Sequence, residues 1–340
     1  MINADLAHEL LWKNMKPILS DRAGKEYAVW REELRQKFIE LTGIDKIEKN
    51  ACPLNVQIEK EEDKGTYRLI RFTFDSEIGE TVPCYLVIPK TGKEKYPVAI
   101  TLQGHSTGAH NSIGVPLYDG DEAYQTRGAF ALQAAENGFA ALVIEQRGMG
   151  ERKPSKPNRG SHVNCQYAVS VALVLGRTVL GERIWDVHKA IDALSVFQEC
   201  DLDKILITGN SGGGTMSYYA ACYDERIKLS VPSCAFCPYP ESILDIWHCS
   251  CNHIPSAYQW FDMQDLSALI APRHLLVVTG KEDDIFPIEG VERGFGIVQD
   301  IYQTAGAKEN CRMVVTPKGH WWCVDIIWPA ILEETKKLGW

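Results

Sequence analysis

The sequence has no long apolar run and no excess of positive charge. No stretch is long enough to cross a bilayer as a helix, and the N-terminal residues lack the basic segment and apolar core of a signal peptide. The formal net charge of -9 argues against nucleic acid or an anionic membrane surface as a partner. We therefore predict a cytoplasmic protein, with self-association left open.

A framework of paired cysteines is also lacking. The 11 cysteines are odd in number and scattered through predicted strands and helices, which favours reduced thiols. Cys234 and Cys237 form a C-x-x-C, and Cys249 and Cys251 follow between two histidines. These soft ligands would suit zinc, and a disulfide is a second alternative, but buried reduced thiols are our first interpretation. We predict no metal and no cofactor.

The hydrophobic period changes along the 340-residue chain. Up to residue 41, apolar residues recur at helical spacing, which predicts a helical extension over residues 1–50 that packs on the body. Apolar and polar residues then alternate, which predicts three consecutive antiparallel strands at 56–59, 67–74 and 82–89. Residues 51–340 are assigned to one domain, because no repeat or low-complexity linker divides them.

From residue 98 onward, short apolar stretches alternate with helical ones. We predict strands at 98–102, 140–144, 204–208, 227–233, 275–279 and 312–316, helices at 123–137 and 167–197, and a polar loop at 147–164. Such alternation predicts a mostly parallel sheet with helices on both faces. The stretch 235–262 interrupts the pattern with aromatic residues, proline and cysteine, and we predict that it forms an excursion over one edge of the sheet.

The strand predicted at 204–208 leads into a glycine-rich turn around a serine. Residues 209–214 read Gly-Asn-Ser-Gly-Gly-Gly, and the helical stretch 215–222 follows. Strand, G-x-S-x-G and helix form a nucleophile elbow, in which a sharp turn lifts the serine hydroxyl clear of the sheet. The glycines let strand and helix approach closely. Ser211 is the predicted nucleophile.

A serine nucleophile needs a base, and the base needs an acid that orients it. Asp283 and Asp284 follow a predicted strand, and either could orient the base; His320 follows the last predicted strand. Acids and histidines in loops are usually only solvated. However, the carboxyl ends of parallel strands meet at one edge of a sheet, where ligands bind. We therefore predict that these residues lie beside Ser211.

The negatively charged oxygen of an acyl-transfer intermediate needs backbone amide donors. Gly212, directly after the serine, should supply one of them. The second should come from the loop after the strand at 98–102, where the amide of His105 is our choice and those of Gly104 and Ser106 are alternatives. The His105 side chain could act as a second base, but a pocket wall or a structural hydrogen bond is the plainer interpretation.

The motifs around Ser211, at 280–287 and at 319–320 resemble the α/β-hydrolase superfamily, and within it the bacterial acetyl-xylan-esterase and dienelactone-hydrolase-like esterases. The resemblance covers the chain from about residue 55 to its end. It implies an α/β-hydrolase fold, with antiparallel N-terminal strands ahead of a mostly parallel sheet, and it makes 51–340 the catalytic domain. In similar proteins the acid lies four residues before a proline, which selects Asp283.

The resulting hypothesis is a serine esterase that acts on a small-molecule ester. Arg147 could bind an acidic group of the substrate, although a solvated charge is the plainer interpretation. Trp321 and Trp322 follow His320 directly and, with the aromatic residues of 235–262, should narrow the acyl pocket. We expect an acetyl group on a sugar or aromatic alcohol. An acyltransferase or peptidase with the same residues, or a non-catalytic binding protein, stays open.

Overall fold

The computed structural model describes residues 4–20, 24–154 and 164–340. It is built on a nine-stranded sheet with the order β1-β2-β3-β5-β4-β6-β7-β8-β9. The strands are β1 Gln57–Asp63, β2 Tyr67–Glu77, β3 Glu80–Pro89, β4 Tyr96–Leu102, β5 Ala140–Ile144, β6 Cys200–Asn210, β7 Ile227–Ser233, β8 His274–Gly280 and β9 Cys311–Thr316. The pairs β1–β2, β2–β3 and β3–β5 are antiparallel, and the remaining pairs are parallel. The predicted change from antiparallel to parallel strands is confirmed.

Twelve α-helices are present in the described residues, with short 3-10 turns between some of them. They are α1 Leu6–Lys13, α2 Tyr27–Thr42, α3 Ile44–Glu48, α4 Glu122–Gly128, α5 Phe130–Glu136, α6 Asn164–Val174, α7 Val179–Ala193, α8 Gly212–Tyr223, α9 Ala257–Trp260, α10 Ser267–Ile270, α11 Ile288–Thr304 and α12 Val324–Lys337. None of the helices in these ranges is long and apolar enough to span a bilayer.

Two of the predicted helices are each divided in the structure. The stretch 167–197 forms α6 and α7, which are separated at Gly176, where φ is +70°. The helix α7 begins after Thr178, whose hydroxyl accepts a hydrogen bond from the Gly181 amide, so a capping residue restarts the helix. The stretch 123–137 is likewise divided between α4 and α5. Residues 155–163 of the predicted polar loop lie outside the described residues.

Apolar cores cover both faces of the sheet. Side chains alternate along a strand, and in β4 Val98 and Ile100 contribute to one core while Ala99 contributes to the other. The first core includes Tyr218 of α8, and the second includes Phe130 of α5. Burial on both faces explains why β5 and residues 205–207 of β6 are apolar at every position. The carboxyl ends of these parallel strands are left free to carry the site.

The N-terminal helices differ in how they pack. Trp30 and Phe38 of α2 are buried in the main core. In α1, however, Leu10 and Leu11 are exposed, so the apolar stripe expected there is not buried. The division of residues 1–50 from the catalytic domain stays a prediction, as do the cytoplasmic location and self-association.

Candidate active site

Ser211 lies in the sharp turn between β6 and α8. Its backbone has φ 58° and ψ −127°, a conformation that residues other than glycine rarely adopt. Its amide donates to the carbonyl of Ser233 on the neighbouring strand at 2.9 Å, which fixes the turn to the sheet. A Cβ on Gly213 would lie 2.0 Å from the carbonyl oxygen of Leu102. The close approach of strand and helix therefore requires glycine at that position.

Asp283 and His320 meet in the loops that follow β8 and β9. The His320 Nδ1 lies 2.9 Å from Oδ2 of Asp283. The other carboxylate oxygen accepts hydrogen bonds from the amides of Ile285 at 2.9 Å and Phe286 at 3.1 Å. Burial alone would raise the pKa of Asp283, but the hydrogen bonds and the charge of His320 lower it below its ordinary value. Asp284 points to solvent, so the contacts favour Asp283 as the acid.

A cavity of about 190 Å³ has both Ser211 and His320 in its wall. The loop 103–106 and Trp322 form further parts of the wall. The wall from α4 and α5 was not predicted, and it comprises Tyr124, Arg127, Gly128 and Phe130. These residues carry no sequence motif, and only the folding of α4 and α5 over the strand ends brings them to the site. The cavity is where a substrate could reach the serine and the histidine together.

The loop after β4 packs directly on the elbow. A Cβ on Gly104 would lie 3.1 Å from the Cβ of Ser211. A Cβ on Gly212 would lie 3.3 Å from Nδ1 of His105, whose Nε2 is 3.2 Å from Sγ of Cys251. The two loops expected to supply amide donors are thus adjacent, and the choice of the His105 amide stays a prediction.

Glu145 supports this loop from the end of β5. Its carboxylate accepts hydrogen bonds from the Ala109 amide at 3.0 Å and from the Gln103 side chain at 3.3 Å. A Cβ on Gly150, where φ is +48°, would lie 2.0 Å from Oε2 of the same carboxylate. Burial raises the pKa of Glu145 above its ordinary value. Glu145 was not among the predicted site residues, although its position directly after a parallel strand was a signal.

The two tryptophans after His320 lie in different environments. Trp322 is buried in the cavity wall, where its indole N–H donates to Gln133 at 2.9 Å and its ring meets that of Phe130 edge to face. Trp321 is 42% exposed and has the guanidinium of Arg127 3.8 Å from its ring centroid. Trp322 can therefore limit the depth of the cavity, whereas Trp321 lies at the adjoining surface.

Arg147 does not line the cavity, and we correct its assignment as a substrate contact. Its guanidinium is buried and pairs with Glu77 at 2.7 Å and with Asp186 at 3.1 Å, and Glu182 lies at 3.5 Å. These acids come from β2 and α7, which are far from Arg147 in sequence. For this reason the sequence alone could not indicate that the charge of Arg147 is neutralised inside the fold. The side chain is part of a buried ion network.

The structure divides the predicted cysteine group. Sγ of Cys234 lies 3.8 Å from the carbonyl oxygen of Trp321, close to the candidate catalytic residues, whereas the amide of Cys237 contacts Sδ of Met263 at 3.4 Å. Cys249 and Cys251 instead join residues that the sequence analysis did not connect to them. That cluster consists of His105, Cys165, Cys249 and Cys251, whose ligand atoms all lie within 4.8 Å of one another.

A family model described as Abhydrolase family matches residues 3–320 of this chain. The chain belongs to the Abhydrolase family. Its predicted resemblance to the α/β-hydrolases, and the predicted fold, are confirmed by this match and by the sheet. The "Putative hydrolase YtaP" of Bacillus subtilis (strain 168) is 27% identical over 273 residues, which are 79% of this chain and 87% of that protein.

Solved structures share the fold at low sequence identity. A "putative acetyl xylan esterase" from Bacteroides fragilis NCTC 9343 superposes with a TM-score of 0.78 at 17% identity. The superposition covers 98% of the present chain and 95% of the esterase chain. A glucuronoyl esterase from Solibacter usitatus gives a TM-score of 0.68 at 15% identity, over 95% and 97%. At these low sequence identities, the structural similarity establishes a shared fold and nothing further.

Proposed function

We propose that this Abhydrolase family member is a carboxylic ester hydrolase that uses Ser211, His320 and Asp283. The observation that carries the proposal is the position of His320, which contacts a buried carboxylate at 2.9 Å and faces the same cavity as Ser211. The names of the structural neighbours, an acetyl xylan esterase and a glucuronoyl esterase, support ester chemistry.

The tautomer of His320 follows from its contact. With the proton on Nδ1 donated to Asp283, Nε2 is free to accept the proton of the Ser211 hydroxyl. The serine oxygen then attacks the ester carbonyl, and the amides of Gly212 and His105 receive the developing negative charge. His320 returns its proton to the departing alcohol, and in a second half-reaction activates the water that releases the acid.

The dimensions and composition of the cavity support a short acyl group. The cavity wall includes the buried rings of Phe130 and Trp322, and these bulky side chains would leave more room for an acetyl group than for a long chain. The exposed ring of Trp321, with the guanidinium of Arg127 against it, would give a larger alcohol a flat surface to stack against. We infer an acetyl ester of a sugar or an aromatic alcohol.

Kinetics on p-nitrophenyl acetate test the proposal. Ser211→Ala and His320→Ala should each lower kcat by about a thousandfold or more, and their double variant should be little worse, because residues that act as a unit are not additive. A fluorophosphonate should label the wild type but not Ser211→Ala. Ser195→Ala, which removes an exposed hydroxyl after α7, is the control. Retention of most activity in Ser211→Ala would end the serine-esterase proposal.

Acyl transfer to another acceptor is the competing outcome with the same residues. Partition of the acetyl group between water and added alcohols or amines distinguishes the two. Labelling by the fluorophosphonate without turnover of any ester in a panel of acetylated sugars, aryl esters and lactones would favour transfer or peptide cleavage.

A further inference from the structure

We propose that His105, Cys165, Cys249 and Cys251 bind one zinc ion beside the active site. The imidazole and thiol ligand atoms all lie within 4.8 Å of one another, and Nε2 of His105 is 3.2 Å from Sγ of Cys251. In tetrahedral zinc sites the metal–ligand distances are about 2.0 to 2.3 Å, which sets the ligand atoms about 3.3 to 3.8 Å apart. No pair of ligand atoms therefore needs to approach by more than about 1 Å to enclose the ion, and the pair His105 and Cys251 is already close enough.

The four ligands come from three separate segments that the fold brings together. His105 lies in the loop after β4, Cys165 in the first turn of α6, and Cys249 and Cys251 in the excursion 235–262. Three thiolates and one imidazole complete a tetrahedron without water, which is the composition of a closed structural zinc site. We therefore assign the ion a structural role and not the activation of water.

A buried cation supports a metal–thiolate cluster over the alternatives. Arg183 is 1% exposed, and its guanidinium lies 3.3 Å from Sγ of Cys251 and 3.5 Å from Sγ of Cys165. Within the described residues it pairs with no carboxylate; its other contact is the carbonyl of Arg147. A buried charge needs a compensating charge. Zinc with three thiolates carries a net charge of −1, which matches Arg183.

A disulfide that includes Cys251 would leave this charge unbalanced, because oxidation of that thiol forms a neutral bond and removes the sulfur atom closest to Arg183 as a possible anion. A single Cys251 thiolate would balance the charge, but it would not explain why two further thiols and an imidazole converge on the same point. The zinc site accounts for all four side chains. It also replaces the expectation of no metal, which considered Cys234 and Cys237 as partners.

The site would fix the loop that packs on the nucleophile. Zinc on Nε2 of His105 would hold the residue next to Gly104, which contacts Ser211, and tie it to the excursion. This consequence for turnover rests on the proposed function, whereas the metal content does not. Absence of esterase activity in a zinc-loaded protein would therefore refute the function and leave the zinc site intact.

Metal analysis of the full chain, purified under reducing conditions without chelators, tests the site. We expect about one zinc per chain in the wild type. Cys165→Ser, Cys249→Ser and Cys251→Ser should each lose most of it. Cys237→Ser, which removes a buried thiol of the same excursion outside the cluster, should retain it. Cobalt in place of zinc should give the strong visible absorption of a tetrahedral thiolate site in the wild type and in Cys237→Ser. The three cluster variants should lack this absorption.

If the cysteine variants fail to fold, the zinc site can still be tested in the wild type by its zinc content and its Tm. Zinc should be removed by a strong chelator with a fall in Tm, and one equivalent of added zinc should restore Tm. Reduced wild type that contains no zinc and takes up none would overturn the proposal. The same holds for a disulfide among these cysteines found by mass spectrometry, or for zinc retained in the triple serine variant.

Discussion

The guanidinium of Arg147 forms two hydrogen bonds, each 3.1 Å long, to the two carboxylate oxygens of Asp186. Both groups are buried, and the same guanidinium also forms ion pairs with Glu77 and Glu182. The pairing joins the loop after β5 to α7. It makes Arg147 a structural residue, although the residue directly follows a parallel strand, as functional side chains often do.

Replacement of Arg147 by methionine should destabilise the fold. Removal of one partner from a buried ion cluster costs about 3 to 5 kcal/mol, and because Arg152 also pairs with Asp186 we expect about 3 kcal/mol. Urea unfolding measures the change. The control is Arg312→Met, whose more exposed pair with Glu333 should contribute about 0 to 1 kcal/mol. A raised KM with unchanged stability would instead restore Arg147 as a substrate contact.

Acid should weaken the same network. Burial alone would raise the pKa of Asp186, but the charges of Arg147 and Arg152 lower it to about 2, below the ordinary value of 3.8. The stability from this ionised group is complete above the unfolded pKa and is lost as the pH falls from about 4 through about 2. It amounts to roughly 2 kcal/mol.

Unfolding measured at several pH values in that window should be less pH-dependent in Asp186→Asn than in the wild type. Asp203→Asn, which changes an exposed carboxylate, should follow the wild type. Equal slopes in Asp186→Asn and the wild type would contradict the assignment.

Local patterns predicted much of this molecule, and contacts between distant segments account for what was missed. The turn at Ser211 and the alternation of strands and helices are encoded within short windows of sequence, so the sheet and the position of the serine could be predicted. The pairing of Arg147 with Asp186 depends on how separate elements pack, and so does the proximity of Cys165 to Cys251. No spacing in the sequence specifies either contact. The break at Gly176 was a local signal that the helical pattern around it obscured.

Asp283→Asn should be far more damaging than Asp284→Asn. Only the buried carboxylate contacts His320, and an amide there would favour the wrong tautomer of the imidazole. We expect kcat on p-nitrophenyl acetate to fall by up to about ten-thousandfold in Asp283→Asn, with little change in Asp284→Asn. Circular dichroism of both variants establishes that they are folded. The reverse ranking would show that the neighbouring residue is the acid.

Activity should decline with acyl length. In a p-nitrophenyl series from acetate to octanoate, we expect kcat/KM to fall, because the buried rings of Phe130 and Trp322 in the cavity wall would limit the room for a longer chain. Phe130→Leu should raise the activity on butanoate relative to acetate. Phe139→Leu, which shortens a side chain of the same core outside the cavity wall, should leave that ratio unchanged. A maximum at octanoate in the wild type would mean an open channel and would falsify the short-acyl inference.

The backbone conformation of Ser211 lowers the stability of the fold, whereas the proposed reaction requires serine at this position. Serine at φ 58° and ψ −127° carries a strain of about 1 to 3 kcal/mol that glycine would not. Glycine also increases the entropy of the unfolded chain, so the net gain of Ser211→Gly should be on the order of 1 kcal/mol. Alanine would keep the strain, and Tm should therefore rise in the glycine variant alone. Under the proposed function, a population selected only for thermal stability would drift toward a glycine form that lacks the nucleophile.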